Sequence, residues 1–367
     1  MPVEFIGMIG TRSGSEIEAA NASLIGGHVD LDFLTRFARA HEEAGFDRVL
    51  VGYGSTGPDG FSVAGYCASV TDRLTYLIAH RPGFVAPTLA ARKAATLDQL
   101  TRGRIAIHII TGGNDAEMQR DGDWLTHDER YRRTDEYLDI VRLTWTSHEP
   151  FDYEGEFYRV KRAFADVKPY QQPHVPLYYG GMSGAALPVG AKHADCYMVW
   201  GEPLADVKAA MAEVRSEAAK HGRNPRFSIS FRPILAKNEE AAWEKAHGYL
   251  ERILKLRGGW QQYNPQNAGS QRLLRLAEEG EVHDDRLWTG IAKAVGAAGN
   301  TTALVGTPDQ VAESLLRYYD AGVTTILVRG FEPLPDAEEY GRELLPIVRA
   351  EVAKRDREAG RLAAAGG

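Results

Sequence analysis

The sequence predicts an α/β fold, a closed (β/α)8 TIM barrel with insertions, on three observations. Short apolar runs of strand type alternate with segments of helical periodicity along most of the 367 residues, which indicates repeated βα units and a parallel sheet. Eight such runs are found, and eight βα units close a barrel of this kind. The structural alternative, a doubly wound open sheet, favours a Gly-x-Gly-x-x-Gly turn after the first strand, and this chain has none there.

The first half of the chain supplies four of the predicted strands and two clear helices. The strands are placed at residues 4–10, 47–54, 73–82 and 104–113. The helices are placed at residues 30–45 and 88–103. Each of these helices ends at a glycine, a residue that favours the left-handed conformation found after helix C-termini.

The second half supplies the other four strands and five helices. The strands are placed at residues 175–181, 195–201, 226–236 and 324–330. The helices are placed at residues 184–193, 203–222, 239–259, 307–322 and 335–355. Thr307 stands at the start of its helix, where a threonine side chain can cap free backbone N–H groups.

Two segments do not fit the regular repeat. Residues 148–174 predict a small β-hairpin insertion, and residues 256–302 predict a longer insertion of loop and short helix. Long insertions in a compact domain are commonly lids, so we expect the second one to close over a site. The chain is therefore predicted to be one barrel domain over residues 1–355, followed by a C-terminal tail at residues 356–367.

The composition indicates a globular protein and argues against some classes of partner. Apolar residues make up 44% and charged residues 25%, and the net charge of −7 argues against a general binder of nucleic acids or membranes, which needs a basic face. Cys67 and Cys196 lie in apolar runs and are expected to be buried free thiols, and no spacing of a zinc site is present. With no leader segment and no long apolar span visible, we expect a cytoplasmic protein.

In a barrel of this kind, the functional site lies at the C-terminal ends of the strands. The residues predicted there are rich in arginine, histidine and aromatic side chains: Arg12, Tyr53, His80, Arg81, His108, Thr111, Gly112, Trp200, Arg232 and Arg329. Few carboxylates argue against a metal hydrolase or a two-carboxylate glycosidase. The set suits an anionic substrate and a flat aromatic cofactor. A lone histidine is more often a hydrogen-bonded core residue than a catalyst, and the arginines could pair with loop carboxylates.

The segment 178–190 predicts an anion site. It is a strand that enters a glycine-rich turn and then a helix, so the backbone N–H groups of Gly181, Met182 and Ser183 would point at an anion near the positive end of the helix dipole. An ordinary βα turn is the alternative, because such turns also favour glycine.

The segment LTHDERYRR predicts the start of a helix. Thr126 and Glu129 have the spacing of a capping box, and Tyr131 is expected to face inward, where its hydroxyl could contact a phosphate. A metal site is not predicted, because the adjacent His127 and Asp128 do not share one helix face.

Three stretches resemble the flavin-dependent monooxygenases of the bacterial luciferase type: TLAARKAATLDQLTRGRIAIHIITGGNDAEMQRDGDWLTHDERYRR, PLYYGGMSGAALPVGAKHADCYMVWGEP and TALVGTPDQVAESL. Within that family, the sequence is most similar to the two-component alkanesulfonate monooxygenases. The resemblance extends over roughly residues 4–350 and implies a (β/α)8 barrel that uses reduced FMN (FMNH2) with O2 as co-substrate. It also implies a separate NAD(P)H:FMN reductase, an organosulfonate substrate that yields an aldehyde and sulfite, and a homo-oligomer, either dimer or tetramer.

The resemblance assigns the flavin contacts residue by residue. Thr111 and Gly112 map beside the flavin ring, and Trp200 maps onto a wall of the pocket. The residues that map onto the phosphate contacts are Tyr131, Gly181, Met182 and Ser183. The substrate side departs from the family pattern at Arg12, Gly57, His108, Ser230, Arg232, Ala297, Arg329 and Phe331.

These departures lead to the hypothesis of a monooxygenase for a hydroxylated organosulfonate, such as a sulfosugar. Arg232 and Arg329 are expected to clamp the sulfonate, and His108 or His80 is the candidate acid–base residue because histidine titrates near neutral pH. The other residues expected at the substrate are Arg12, Tyr53, Trp200 and Phe331. Two alternatives stay open: another reaction of the same family, on a sulfone, alkane or ketone or with a deazaflavin, and a barrel that binds flavin without catalysis.

Overall fold

A computed structural model describes residues 2–19, 27–299 and 301–365 of the chain. Its strands are β1 (Glu4–Ile9), β2 (Arg48–Val51), β3 (Thr75–His80), β4 (Ile105–Ile109), β5 (Phe151–Glu154), β6 (Arg159–Ala163), β7 (Leu177–Gly180), β8 (Cys196–Trp200), β9 (Arg226–Leu235), β10 (Val282–His283), β11 (Leu287–Trp288), β12 (Ala303–Gly306) and β13 (Thr325–Val328). Its helices are α1 (Leu31–Glu43), α2 (Gly60–Ser69), α3 (Pro87–Thr101), α4 (Asp115–Arg120), α5 (His127–Thr146), α6 (Ala186–His193), α7 (Leu204–Ala219), α8 (Glu239–Arg257), α9 (Ala268–Glu279), α10 (Gly290–Ala294), α11 (Pro308–Asp320), α12 (Pro333–Glu343) and α13 (Leu345–Ala365).

Eight parallel strands form a closed ring in the order β1, β2, β3, β4, β7, β8, β9 and β13. Neighbours in this order are hydrogen-bonded, and the pairing of β13 with β1 closes the ring. The predicted (β/α)8 barrel is therefore confirmed, and its strands lie where the apolar runs placed them. Helices connect most of these strands, because a parallel pair needs a long crossover connection.

Side chains of the barrel strands alternate between the inside of the ring and the surrounding helices. One buried cluster fills the inside and consists of Ile6, Leu77, Ala106, Tyr178, Cys196 and Leu327, with Leu50 and Met198 packed against it. Their sequence neighbours, such as Val49, Ile78 and Ile107, belong to the larger cluster that joins strands to helices. Only every second strand residue therefore reaches the interior of the barrel.

Helix α5 shows how local sequence and packing agree. It begins directly after Thr126, as predicted, and the Glu129 carboxylate accepts a hydrogen bond from the Thr126 backbone N–H at 2.8 Å. Its buried face includes Leu138 and Trp145. The Trp145 indole N–H donates to the Ala91 carbonyl of α3 at 2.8 Å, which fixes α5 against the neighbouring helix.

Two additions lie outside the regular βα repeat. Strands β5 and β6 form an antiparallel hairpin that pairs with no barrel strand among the described residues. Strands β10 and β11 add to β12, which pairs with the outer half of β9, so β9 continues beyond the ring. We call residues 258–267 the lid segment. Gln266 holds it to α4, because its side-chain oxygen accepts a hydrogen bond from the Asp115 N–H at 2.9 Å.

Both cysteines are buried free thiols, as predicted. Burial raises the pKa of Cys67 and of Cys196 to about 12, so neither thiol ionises at neutral pH. Within the described ranges, none of the helices combines the length and the apolar character needed to cross a membrane.

Candidate functional site

The main cavity lies at the carboxyl ends of the barrel strands. Its volume is about 960 Å³, which is at the upper end of the usual range for ligand sites, about 300–1,000 Å³. Inward-facing strand residues form part of its wall: Met8, Leu50, Ala79, His108, Gly180, Met198, Ser230 and Leu327. The lid segment contributes Tyr263, Asn264, Pro265 and Asn267. The barrel and the insertion therefore build one site together.

The turn after β7 and the first turn of α5 form a polar end of the main cavity. Gly181, Met182, Ser183 and Tyr131 all line it. Gly181 has a φ of +150°, and a Cβ there would lie 3.0 Å from Ala186 Cβ and 3.3 Å from the Tyr131 hydroxyl oxygen. Burial raises the pKa of Tyr131, so its hydroxyl stays protonated and can donate. Hydroxyl and backbone donors around a glycine turn are suited to a phosphate.

The segment after β4 forms a second part of the wall. Thr111 is buried, and its hydroxyl oxygen lies 3.3 Å from that of Thr134. Gly112 has a φ of +104°, and a Cβ there would lie 2.2 Å from Met118 Sδ, so both its conformation and its surroundings require glycine. A wall without side-chain bulk lets a flat ring approach the backbone. Thr111 and Gly112 both line the main cavity, and their contact with a flavin ring stays a prediction.

His108 faces the main cavity from the inside of β4. Both of its ring nitrogens are buried and lack a hydrogen-bond partner among the described residues, although buried polar groups are nearly always paired. Burial lowers the pKa of His108 to about 4, so the ring is neutral at pH 7. This corrects the expectation of a histidine that titrates near neutral pH. A neutral ring instead offers one donor and one acceptor to a ligand in the cavity.

His80 faces away from the main cavity. Its Nε2 lies 2.6 Å from the Tyr137 hydroxyl oxygen, and its ring meets Phe61 edge-on. Ala79 and Arg81 on either side of it do line the cavity, so the alternation of strand side chains directs His80 to the helix layer. We therefore withdraw His80 as an acid–base candidate. The same alternation is the sequence signal that would have selected Arg81 in its place.

Arg81 belongs to a polar cluster at the wall of the main cavity. Its side chain is buried, and its Nη2 lies 2.7 Å from a carboxylate oxygen of Glu117. Its guanidinium carbon lies 4.5 Å from the centroid of the Tyr53 ring, and the Tyr53 hydroxyl donates to Asp121 at 2.7 Å. Tyr53, predicted on the substrate side, lines the cavity as well. The loops after β2, β3 and β4 meet in this cluster.

Arg329 and Trp200 also line the main cavity. Arg329 Nη1 lies 2.8 Å from Met8 Sδ and 4.0 Å from a Glu16 carboxylate oxygen. Burial lowers the pKa of Arg329 to about 10, so it remains charged at pH 7. A Cβ on Gly269 would lie 2.8 Å from the Trp200 ring, which shows that helix α9 packs directly on the indole.

Arg232 and Phe331, both predicted at the substrate, do not line the main cavity. Arg232 is fully buried, with its Nη1 2.6 Å from a Glu16 carboxylate oxygen and 3.2 Å from the Gly330 carbonyl oxygen. Its guanidinium carbon lies 4.5 Å from the centroid of the buried Phe331 ring. The cause is the length of β9, which carries Arg232 past the ring to the loops after β1 and β13. This placement corrects the predicted clamp of Arg232 with Arg329.

Arg12 lines a separate small cavity of about 50 Å³, together with Gly57, Glu16, His41 and Arg329. It is not among the residues that line the main cavity. The predicted contact of Arg12 with a substrate is therefore not supported by its position, and of the arginines predicted to contact the substrate, Arg12, Arg232 and Arg329, only Arg329 lines the main cavity.

One cluster with possible metal ligands, Asp135, Asp139 and His193, is found in the part of the chain that the structure describes. Lys192 Nζ lies 2.8 Å from a carboxylate oxygen of each aspartate, so the lysine already occupies the position of a cation. None of these residues lines the main cavity, and we assign the cluster no ligand.

Comparison with known proteins agrees with this fold. The model of a family described as luciferase-like monooxygenase matches residues 3–325 of the chain. A solved structure of riboflavin lyase (RcaE), with modified FMN and riboflavin, is similar with a TM-score of 0.76 and 19% identity, covering 96% of this chain and 92% of that one. The structure of DmoA from Hyphomicrobium sulfonivorans is similar with a TM-score of 0.74 and 20% identity, and the match covers 96% of this chain and 89% of that one. The structure of long-chain alkane monooxygenase (LadA) is similar with a TM-score of 0.75 and 19% identity, and the match covers 97% of this chain and 92% of that one. At these identities, the structural likeness shows the shared fold alone.

Proposed function

This chain belongs to the luciferase-like monooxygenase family, and we propose that it is a two-component enzyme that uses reduced FMN and O2 to oxidise an organosulfonate. The observation that carries the proposal is the composition of the main cavity. A glycine-containing turn, Gly181 to Ser183, lies at one end, and the cationic side chains of Arg81, Arg120 and Arg329 lie elsewhere in its wall. One site thus offers places for two anions, a cofactor phosphate and an anionic substrate.

The residues present fit an FMN. Tyr131 and Ser183 would donate hydrogen bonds to its phosphate beside the Gly181 turn, and Gly112 would present only its backbone to the flat ring. When bound, reduced FMN supplies the two electrons with which O2 is activated.

The remaining groups would position the substrate and exclude water. Neither ring nitrogen of the neutral His108 has a partner among the described residues. One nitrogen would donate its N–H to the substrate, or the other would accept a hydrogen bond from it. Trp200 would provide an apolar wall. The lid segment, held to α4 through Gln266, would keep bulk water out during the reaction.

The proposed reaction breaks the C–S bond of the sulfonate. One atom of O2 becomes the carbonyl oxygen of an aldehyde and the other leaves as water, while sulfur departs as sulfite with the bonding electron pair. The two electrons that balance the reaction come with reduced FMN, which a separate NAD(P)H:FMN reductase would regenerate. The polar cavity residues Ser230 and Asn267 favour a hydroxylated sulfonate, such as a sulfosugar, over a plain alkanesulfonate.

A panel assay tests this proposal. The protein, an NAD(P)H:FMN reductase, FMN and O2 are mixed with alkanesulfonates, hydroxylated sulfonates and neutral sulfones, and sulfite is measured. We expect protein-dependent sulfite release, most strongly from a hydroxylated sulfonate. No sulfite from any sulfonate would overturn the substrate class, and oxidation of a neutral sulfone alone would assign the enzyme to another reaction of its family.

A further inference from the structure

We infer that Arg81 binds the anionic group of the substrate in the main cavity. The inference deepens the proposed function, on which it rests, by naming the residue that recognises the oxyanion, whether sulfonate or carboxylate. Arg81 is 6% exposed and lines the main cavity directly after β3. Arg232 on β9 is buried and does not line the main cavity, so it cannot bind the anion there. We assign anion binding instead to Arg81, which follows β3; the strands β13, β1 and β2 lie between β9 and β3 in the ring.

The first observation is that the hydrogen bonds of Arg81 are incomplete. Its Nη2 contacts Glu117, but its buried Nε and Nη1 have no partner among the described residues. A guanidinium has five N–H donors and can contact anions at more than one of its edges. Because a buried donor left unpaired costs free energy, these nitrogens are suited to an acceptor that enters the cavity.

Other buried arginines show the contrast. Arg130, which is 2% exposed, uses Nη1 for the Leu125 carbonyl at 2.6 Å and Nη2 for Asp115 at 2.8 Å, and of its buried nitrogens only Nε has no partner among the described residues. Among the arginines that the structure describes, Arg81 is the one with two buried nitrogens that lack a partner. Arg130 therefore uses both terminal nitrogens in contacts within the protein, whereas Arg81 uses one and has donors left for a ligand.

The second observation is that neighbouring side chains fix the guanidinium of Arg81 while two of its nitrogens keep no hydrogen-bond partner among the described residues. The Tyr53 ring covers one face of the guanidinium at 4.5 Å, and the Glu117 carboxylate holds one terminal nitrogen. Glu117 is itself fixed, because it accepts a hydrogen bond from the Ser55 backbone N–H at 3.2 Å. A preorganised guanidinium loses little conformational freedom when an anion binds.

The position of Arg81 separates it from the expected cofactor phosphate. The phosphate turn at Gly181 follows β7, whereas Arg81 follows β3, and β4 lies between these strands in the ring. Arg81 contacts Tyr53, which follows β2, and Glu117, which lies on α4 after β4. The phosphate has hydroxyl donors of its own in Tyr131 and Ser183, so the unpaired nitrogens of Arg81 are left for a second anion.

Equilibrium binding to the FMN-loaded protein tests the inference without relying on turnover. The probes are hexane-1-sulfonate, 2,3-dihydroxypropane-1-sulfonate, hexanoate and the neutral methyl pentyl sulfone, each titrated by calorimetry. We expect Arg81→Gln to weaken binding of the best anion by about ten-fold or more. Binding of the sulfone and of FMN is expected to stay within about two-fold of the unsubstituted protein.

Glu117→Gln is the matched control for the ion pair. If Arg81 only held Glu117, the two single substitutions and the Arg81→Gln/Glu117→Gln double substitution would weaken anion binding equally, and the inference would fail. We expect instead that Glu117→Gln binds the anion at least as tightly as the unsubstituted protein, because the amide oxygen can still accept the hydrogen bond from Arg81 Nη2 while a competing negative charge is removed.

Three further outcomes decide the case. Weaker FMN binding with unchanged anion binding in Arg81→Gln would place Arg81 at the cofactor and overturn the inference. Failure of every anion in the panel to bind would overturn it as well. Anion binding that depends on Arg81, in a protein that releases no sulfite, would support the anion site while the proposed reaction itself fails.

Discussion

At the scale of single residues, strand alternation explains most of the difference between the predicted and the observed site. The residues predicted on the flavin side, Thr111, Tyr131 and Ser183, line the main cavity, because the segments that follow β4 and β7 and the beginning of α5 lie at the barrel mouth. His80 does not line the cavity, because it is adjacent to Arg81 in the chain and its side chain points the opposite way, towards Tyr137. Hydrophobic patterns give the period of a strand, but when both faces are buried they do not tell which face is inside.

Buried histidines make the stability of the protein depend on pH. Burial lowers the pKa of His41, His80 and His108 to about 4, below the value of about 6.5 in an unfolded chain. Between these values the unfolded chain binds protons that the folded protein does not, so these groups stabilise the fold above pH 6.5 and progressively less towards pH 4. We expect denaturant titrations to show a smaller free energy of unfolding at pH 5 than at pH 7.

Two substitutions isolate this effect. His80→Gln removes a titrating group and retains a hydrogen-bond partner for Tyr137, so the loss of stability between pH 7 and pH 5 should become smaller. His148→Gln replaces an exposed histidine and should leave that loss unchanged. An unaltered pH dependence in His80→Gln would contradict a neutral buried ring.

Arg232 is predicted to stabilise the fold and not to bind substrate. It is fully buried against Glu16, and removing one partner of a buried ion pair typically costs about 3–5 kcal/mol because the other charge is left unpaired. We expect Arg232→Met to lower the free energy of unfolding by about that amount. The combined Arg232→Met/Glu16→Gln variant should recover part of the loss. Unchanged stability with lost substrate binding would instead restore Arg232 to the substrate clamp.

At the scale of secondary-structure elements, the structure differs from the prediction where a barrel strand continues beyond the ring. Strand β9 was predicted at nearly its observed length, but its outer half pairs with β12 outside the ring. Arg232 stands in that half, so counting along the strand placed it at the mouth. The added strand comes from a distant insertion, and no local pattern near Arg232 indicates it.

The turn after β4 is predicted to need glycine for cofactor binding. Gly112 and Gly122 both have positive φ, +104° and +86°, but a Cβ at Gly112 would overlap Met118 whereas nothing lies within 4 Å of one at Gly122. We expect Gly112→Ala to weaken FMN binding by about ten-fold or more, because the cavity wall must shift. Gly122→Ala carries similar backbone strain and serves as the control in fluorescence titrations of FMN.

Equal FMN affinities of the Gly112→Ala and Gly122→Ala variants would contradict this account of the wall. They would mean that backbone strain alone, and not the space beside Met118, decides how the variants behave.

At the scale of the whole molecule, the protein carries a net charge of −7 and still places arginines around its main cavity. The overall charge disfavours polyanionic partners, while the local charge favours a small anion. The barrel itself was predictable because alternating βα units leave few possible topologies. The sequence also predicts a lid within residues 256–302, but not which of its residues line the cavity, because tertiary contacts such as that of Gln266 with Asp115 set the path of a long insertion.

A single-turnover experiment tests the central claim most directly. The protein is loaded with reduced FMN and a hydroxylated sulfonate without oxygen and is then mixed with O2, and sulfite is measured against the flavin oxidised. We predict sulfite in nearly equimolar amount to the reduced FMN, and none when protein, sulfonate or O2 is left out. Complete oxidation of reduced FMN to FMN, with O2 reduced to hydrogen peroxide and no sulfite from any sulfonate, would contradict the account.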